Sequence, residues 1–470
     1  MQKSKFITLL RTLERKEYSA FGKYVRQRHG TKSIVPSVFQ YISSFYPNFK
    51  EDKKLEIAYA HQKIFKEPVG NNRTKLLNAL SDLFLLLKEF LLLERVKKKS
   101  FENSALWTII LKERGLKSMS SNQAISLQKE VSAFQGHSVF DYMKGMIANY
   151  FFYYQFTHQK LSENISSLHE CGEDLDLFYA VSRLKIGCEM ANRKNLMSLD
   201  YNLRTLPAVV ELSKSKELSN HPLLQLYLAI YELIANEKNQ NFPKIENILV
   251  GYIDVIEPEE LHAALSYLHN YASAQIRRGN ENYWDMTHRL NKFSVEQELF
   301  GKSGEMSTSQ FNNIIQAACK VEEFLWASSF KAAHQKLLEE SVRDSATKLG
   351  EAIILFEQKN YRTTLEKLDK VKPTDLYHEI RSRSLKLISH FELENGAVDI
   401  VGFCIAFEGY LKRNRKPRRE AVEATLRFVQ IVKMLARQKA AKNAILEKID
   451  ASDSIYFKTW LLNKTAKYKK

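Results

Sequence analysis

Glycine and proline are scarce in this chain, whose 470 residues include only 16 glycines and 9 prolines. Average usage would give roughly twice as many of the two together. Sheets joined by tight turns need both residues, whereas helix interiors exclude them. Hydrophobic residues make up 44% of the chain, which is enough for a sizeable core. The composition therefore predicts an all-α protein rather than a sheet-rich one.

Cysteine is also rare. The chain has four, and they are scattered without CxxC spacing at Cys171, Cys188, Cys319 and Cys404. This scatter indicates reduced thiols rather than a disulfide framework or a metal site. Residues 1–13 contain neither a continuous apolar stretch nor a small-residue cleavage site, so we predict no secretory signal. We expect a cytoplasmic protein.

The chain lacks an apolar run of membrane-spanning length. Its most apolar segment, residues 76–93, is interrupted by Asp82, Lys88 and Glu89, whereas a span needs ~20 consecutive apolar residues. A helix that is apolar nearly all round is more simply buried by neighbouring helices. We therefore predict no membrane span, and a buried Leu-rich helix in this segment.

Catalytic and metal-binding signatures are missing as well. The sequence has no HExxH, no GxSxG and no Gly-rich phosphate loop. His262 and His269 are seven residues apart, which is too far for a chelating pair at i, i+4. His169, Glu170 and Cys171 are adjacent, so on a helix their side chains point in different directions. We expect no catalytic residue, no metal and no cofactor, and hence a non-enzymatic protein.

The positive charge is concentrated at the two ends of the chain. The net charge is +17, and residues 411–470 contain 17 Lys/Arg against 5 Asp/Glu, while residues 1–35 contain 9 against 2. The intervening residues are therefore close to neutral. The densest basic cluster comprises Lys412, Arg413, Arg415, Lys416, Arg418 and Arg419. Such a patch is typical of nucleic-acid or anion binding, although a solvated loop has the same composition.

Hydrophobic spacing divides the chain into four parts. We predict a basic N-terminal helical domain (1–100), connecting aromatic-rich helices (101–160), a helical-hairpin repeat array (161–410) and a basic C-terminal helical cap and tail (411–470). Residues 150–154 are five consecutive aromatics. Because adjacent side chains point all round a helix, core packing is favoured over base stacking for them.

The array shows a regular alternation of long amphipathic helices and polar breaks. The first helices of successive pairs are predicted to begin near Asp174, Asn220, Pro258, Thr308, Ser345 and Thr374. The second helices are predicted at residues 196–212, 244–255, 283–299 and 323–338. The mean step is about 40 residues, which is the period of helical-hairpin solenoids. No hairpin buries its apolar stripe alone, so stacking should supply a continuous core whose stability is roughly a sum over neighbours.

One hairpin resembles a tetratricopeptide repeat. In residues 348–391, a small residue and a leucine in the first helix are followed by an aromatic after the turn, further apolar positions and a proline. The residues that carry the resemblance are Ala352, Leu355, Tyr361, Leu368, Val371 and Pro373. Thr364 departs from it, since that family usually has alanine there. The resemblance implies a right-handed α-solenoid. The whole chain also resembles large uncharacterised bacterial helical proteins.

These observations favour a protein-interaction scaffold that binds a protein or peptide in the groove of the array, because stacked hairpins form an extended concave surface. Helical phase suggests five polar contact residues off the apolar stripes, namely Arg183, Asn270, Asn313, Lys320 and Arg381. The alternative is a nucleic-acid-binding helical repeat protein that uses the basic C-terminal segment. The sequence leaves the partner's identity and the oligomeric state open.

Overall fold

The computed structural model of the protein describes residues 1, 4–29, 33–47, 49, 53–66, 73–98, 100–132, 138–155, 165–197, 199–216, 218, 220–236, 241–300, 306–393, 399–414, 420–438 and 440–468. These residues form 23 α-helices, 3₁₀ turns at Lys53–Leu55 and Gln335–Leu337, and no strand. The predicted all-α fold is confirmed. None of these helices combines the length and the apolar composition of a membrane span. The chain divides into two compact units, Met1–Glu130 and Val131–Lys470.

Unit 1 is built around its Leu-rich helix. Its helices are α1 (Lys5–Leu10), α2 (Arg15–Arg28), α3 (Ile34–Ser43), α4 (Ile57–Phe65), α5 (Arg73–Lys97), α6 (Phe101–Glu113) and α7 (Lys117–Ser132), the last ending just past the division. Helix α5 packs against α1, α2, α3 and α4. Leu76, Leu83 and Leu87 on α5 are fully buried, whereas Leu85 and Leu92 are exposed. The Leu-rich helix is therefore buried on one face rather than all round.

Unit 2 contains the remaining helices. They are α8 (Val139–Gln155), α9 (Ile165–Met197), α10 (Leu206–Leu212), α11 (Pro222–Asn236), α12 (Asn241–Gly251), α13 (Pro258–Arg278), α14 (Tyr283–Glu296), α15 (Thr308–Lys320), α16 (Phe324–His334), α17 (Glu340–Glu357), α18 (Tyr361–Leu368), α19 (Leu376–Glu392), α20 (Ile400–Arg413), α21 (Glu420–Arg437), α22 (Lys442–Asp450) and α23 (Lys458–Ala466). The predicted first-helix starts at Pro258 and Thr308 are confirmed.

Helix α13 shows why some boundaries were readable from the sequence. Pro258 lies in its first turn, where the missing N–H costs nothing, and Glu260 adds a negative charge at the positive end of the helix dipole. Arg277 and Arg278 lie in its last turn, where cations suit the dipole. Gly279 ends the helix with φ of 100°, a left-handed conformation that favours glycine.

The prediction of one helix over residues 196–212 was wrong. Helix α9 begins at Ile165, nine residues before the predicted start, and continues to Met197. Residues 199–205 are not helical, and α10 covers only the end of the predicted segment. Pro207 explains the late start, because proline is tolerated in the first turn of a helix and not in its interior.

The helices of unit 2 enclose two hydrophobic cores instead of one continuous core. The first core runs from Leu177 to Leu299 and the second from Phe300 to Leu461. Within the first, α11 packs against α9, α12 and α13; within the second, α17 packs against α15, α18 and α19. Helix α14 packs against both α13 and α15 and so joins the two sets.

The C-terminal segment of unit 2 returns to the end of α13. The Ile455 N–H donates to the carbonyl oxygen of Arg277 at 2.9 Å, and Lys458 Nζ donates to the carbonyl of Arg278 at 3.3 Å. The Thr459 hydroxyl also donates to the Glu281 carboxylate. These contacts join residues about 180 positions apart. Neighbouring hairpins are therefore not the sole source of stability in this unit.

Candidate functional site

A small cleft lies where the first turns of α15 and α19 meet the middle of α17. Its volume is about 20 Å³, and its wall is formed by Thr308, Ser309, Asn312, Leu349, Tyr377, His378 and Arg381. Arg381 is one of the five contact residues suggested by helical phase, and Asn313 lies directly beside the cleft on α15. The cleft therefore contains part of the predicted binding surface.

Two capped helix starts fix the rim of the cleft. The Ser307 side chain accepts a hydrogen bond from the N–H of Gln310 at 3.1 Å and so caps α15. The Asp375 carboxylate accepts from the N–H groups of Tyr377 and His378 at 2.8 and 2.9 Å and caps α19. Serine and aspartate are preferred at this position because their oxygens satisfy donors that the first turn leaves free.

Gly350 lets α15 and α17 approach closely next to the cleft. A Cβ atom at this position would lie 2.7 Å from Cδ1 of Ile315, a fully buried side chain. Real carbon atoms do not approach so closely, so any larger residue here would push the two helices apart.

Side chains of α19 bridge directly to α15. The Thr308 hydroxyl donates to the Asp375 carboxylate at 2.9 Å, and Arg381 Nη2 donates to the Asn313 side-chain oxygen. These partners are 67 and 68 residues apart in the sequence. The N-terminal halves of α15 and α19 are therefore joined by side-chain hydrogen bonds beside the cleft.

Two buried side chains in the wall carry polar atoms without a partner among the described residues. His378 is 4% exposed and Asn312 is 2% exposed, and the unpaired atoms are His378 Nε2 and Asn312 Oδ1. The Thr374 N–H donates to His378 Nδ1 at 3.4 Å, so Nδ1 is an acceptor and Nε2 carries the proton. A buried unpaired donor and acceptor cost free energy. They are therefore the groups a ligand or water would satisfy.

The pKa shifts of His378 and Asp375 define the protonation states of these two side chains beside the cleft. Burial lowers the pKa of His378, and Arg381 acts in the same direction against the opposing charge of Asp375, so the ring is neutral at neutral pH. Burial raises the pKa of Asp375, but hydrogen bonds from the His378 and Tyr377 N–H groups and from Thr308 outweigh it and lower that pKa. Asp375 is thus an ionised carboxylate whose lone pairs are already engaged.

Arg381 is the cation of the cleft. Burial lowers the pKa of its guanidinium, with Tyr456 and Asp375 opposing the shift. The group stays charged at neutral pH, because an unperturbed arginine titrates far above it. One of its five N–H donors is used by Asn313. The cleft therefore presents a cation and a neutral imidazole donor, a combination that suits a carboxylate.

The other predicted contact residues are engaged elsewhere. Arg183 Nε donates to the Thr205 hydroxyl at 3.3 Å, and Asn270 Nδ2 donates to Asn192 Oδ1 at 3.2 Å. Lys320, in the last turn of α15, forms an ion pair with a carboxylate of α17. That pair is Lys320 Nζ to Glu357 Oε2 at 2.9 Å. The structure thus joins Asn313 with Arg381 but does not gather all five residues in one place.

Asn312 and His378 are not among the residues that helical phase suggested as contacts. Both lie on helix faces that are otherwise buried, and their role depends on the contact between α15 and α19. Only one local signal was available, the Asp375 cap that positions His378 three residues later. Helical phase alone does not identify which buried polar residues face a cleft.

Most of the predicted basic patch lies outside the described residues. Lys412 and Arg413 are exposed in the last turn of α20, whereas Arg415, Lys416, Arg418 and Arg419 belong to the segment that the structure does not describe. In the C-terminal tail, Lys464 Nζ pairs with the Glu392 carboxylate at 2.7 Å. At least one lysine of the tail therefore serves an internal contact.

The histidines considered in the sequence analysis have separate environments. The His169 ring lies 3.0 Å from the Glu173 carboxylate, and both side chains are largely exposed. Burial, followed by the nearby charge of His262, lowers the pKa of His269 to about 4. Within the described residues, no three His, Cys, Asp or Glu side chains are placed to share a metal ion.

The depressed pKa of His269 predicts a loss of stability in mild acid. An unfolded His269 binds a proton near pH 6.5 and the folded one only near pH 4, so unfolding takes up a proton between these values. Stability is intact above about pH 6.5 and falls as the pH drops, by roughly 2 kcal/mol for this half-buried residue. Urea unfolding of His269→Gln should show a shallower pH dependence than the parent, with His169→Gln as the surface control. An unchanged slope would contradict the assignment.

A second, larger cleft lies between the C-terminal ends of α9 and α11. Its volume is about 320 Å³, and Lys194, Tyr201 and Tyr231 contribute to its wall. The Lys194 ammonium group is 3.3 Å from the Asp200 carboxylate, and both are largely exposed. Residues 237–240, which directly follow the wall, lie outside the described residues. We assign no role to this cleft.

Comparison with protein-family models, with curated proteins and with solved structures found no match to this chain.

Proposed function

We propose that this protein is a non-enzymatic interaction scaffold that binds a protein or peptide partner through its helical hairpins, and that the cleft between α15, α17 and α19 receives an acidic group of that partner. The observation that carries the proposal is the buried unpaired Nε2 of His378 beside the Arg381 guanidinium. A carboxylate placed between them would accept hydrogen bonds from both.

The size of the cleft favours a macromolecular partner over a free metabolite. Small-molecule sites usually occupy roughly 300–1,000 Å³ and enclose most of their ligand. The cleft measures about 20 Å³, roughly the room of one water molecule, so it admits a single carboxylate oxygen at its mouth and not a whole metabolite. The remaining affinity would come from surrounding helix surface, as expected for a scaffold.

Selection of peptides on the immobilised full-length chain would test this proposal. A library of random peptides with free C-termini should yield binders that share an acidic residue or depend on their terminal carboxylate. Arg381→Gln should weaken the selected peptides by roughly 10- to 100-fold, because it removes a charge-assisted hydrogen bond. Arg362→Gln, an exposed arginine on α18, is the matched control and should leave binding unchanged. Selected peptides without an acidic group, or peptides that bind the Arg381→Gln variant as tightly as the parent chain, would overturn the proposal.

The alternative function is nucleic-acid binding through the basic C-terminal segment. Its support is the excess of 17 Lys/Arg over 5 Asp/Glu in residues 411–470, together with the exposure of Lys412 and Arg413. Six phosphate contacts would give a slope of about −5 for log K against log salt. A mobility-shift series across salt concentrations separates the two functions, because acidic peptide binding at Arg381 would not depend on this segment.

A further inference from the structure

Helix α9 carries a row of large apolar side chains that face away from its own core. Leu168, Leu175, Tyr179 and Ile186 are 49%, 50%, 43% and 51% exposed. The buried residues of α9 lie on the opposite side of the helix, at Leu177, Ala180, Val181, Leu184 and Cys188. A helix on the surface of a globular unit normally has a polar outer face. Four large apolar side chains on that face make it a candidate contact surface.

The spacing of this row, which we call the α9 stripe, is regular and symmetric. Its members are separated by seven, four and seven residues. Eighteen residues make about five full turns, so the four side chains form one line about 27 Å long. The order of the steps is the same in both directions. Two copies of α9 placed antiparallel, with a two-fold axis near Leu177, would therefore set Leu168 against Ile186 and Leu175 against Tyr179.

The charge along α9 fits the same arrangement. Residues 165–176 contain four acidic and no basic side chains, whereas residues 177–197 contain four basic side chains and one acidic side chain. In an antiparallel pair, the acidic half of each helix faces the basic half of the other. A parallel pair would bring like charges together, which costs free energy.

We propose that the α9 stripe docks on the α9 stripe of a second copy of this chain, forming an antiparallel dimer with two-fold symmetry. The self-complementary spacing and the charge reversal along the helix identify a second copy as the occupant, since an isologous interface requires one patch that matches itself. This surface is on a different helix from the cleft between α15 and α19, so its test is independent of the proposed function. Four half-exposed side chains per copy bury less than the roughly 1,600 Å² of a standard interface, so we expect a dissociation constant on the order of 10 μM.

Sedimentation of the full-length chain over a range of concentrations would test the dimer. The parent protein should shift from monomer to dimer, and Tyr179→Glu should weaken association by at least about 10-fold, because it places a charge in the centre of an apolar contact. Leu325→Glu on α16 is the matched control, since Leu325 is 87% exposed and lies outside the stripe. A chain that stays monomeric throughout, or a dimer that Tyr179→Glu does not affect, would overturn the proposal.

Cysteine cross-linking would test the orientation. In a Cys171→Ser background, Leu168→Cys and Ile186→Cys chains should form a disulfide-linked dimer when mixed and oxidised. Neither should cross-link alone, because an antiparallel pair sets two copies of the same position about 27 Å apart along the helix. Cys188, Cys319 and Cys404 are buried and do not compete. Cross-linking of each variant with itself, and not of the mixture, would show a parallel pair and refute the assignment.

Discussion

Replacing Lys185 with methionine should lower the free energy of unfolding of the helices around α9 by about 3 kcal/mol. Lys185 Nζ lies 2.8 Å from both carboxylate oxygens of Glu260, and the Tyr227 hydroxyl donates to the same carboxylate. Glu260 is buried, so the loss of the ammonium group leaves a negative charge that water does not reach. Breaking such a pair costs more than the pair contributes, because the remaining charge has lost its compensation.

Hydrogen exchange of the amides in α9, α11 and α13 measures this cost region by region, which suits a protein with two compact units. Adding Glu260→Gln to Lys185→Met should recover most of the loss, since the orphaned charge disappears. Lys194→Met is the matched control on the same helix, because its partner Asp200 is exposed and the pair contributes less than about 0.5 kcal/mol. A loss below about 1 kcal/mol for Lys185→Met would show that solvent reaches Glu260.

Replacing Ile455 with aspartate should release the C-terminal segment from the end of α13, at a cost of about 4 kcal/mol. Ile455 is fully buried in the second core, and its N–H bonds to the Arg277 carbonyl oxygen at 2.9 Å. The substitution removes the buried apolar surface of the isoleucine side chain, and the aspartate carboxylate pays a desolvation penalty in the same position.

Thermal unfolding and hydrogen exchange would measure the effect. Faster exchange is expected both in α21–α23 and at the end of α13, although the substitution lies in only one of these regions. Ala451→Asp, four residues earlier and exposed, is the control and should change neither. We call the contact between the C-terminal segment and the end of α13 the return contact. If exchange at the end of α13 stayed unchanged in Ile455→Asp, the return contact would contribute no stability there.

The sequence predicted local features well, because they depend on neighbouring residues. The starts of α13 and α15 followed from the alternation of amphipathic helices with polar breaks, and in the structure Pro258 and the Ser307 cap lie at these starts. The break over residues 199–205 was missed, because the apolar spacing continues through it. Only the restriction on Pro207 marked the true helix start.

Contacts between distant helices were beyond sequence reasoning. Helical phase selected Asn313 and Arg381 as exposed polar residues, but not the hydrogen bond that joins them across 68 positions. In the sequence, Asn312 and His378 look like ordinary members of amphipathic helices. Only the contact between α15 and α19 brings them to the same cleft. The division into two cores and the return contact were not predicted for the same reason. A repeat period describes contacts between neighbouring hairpins and gives no information about distant ones.

The return contact also has a consequence for biosynthesis. A ribosome adds about 5–20 residues per second, so the end of α13 emerges roughly 10 to 35 seconds before Lys458, its partner 180 residues later. A stack of hairpins that depended on nearest neighbours alone could complete each pair as it appeared. Here the carbonyl groups of Arg277 and Arg278 gain their hydrogen-bond donors only after Ile455 and Lys458 have been synthesised. During that interval the end of α13 lacks these partners, so the nascent protein exposes a surface that the finished protein covers.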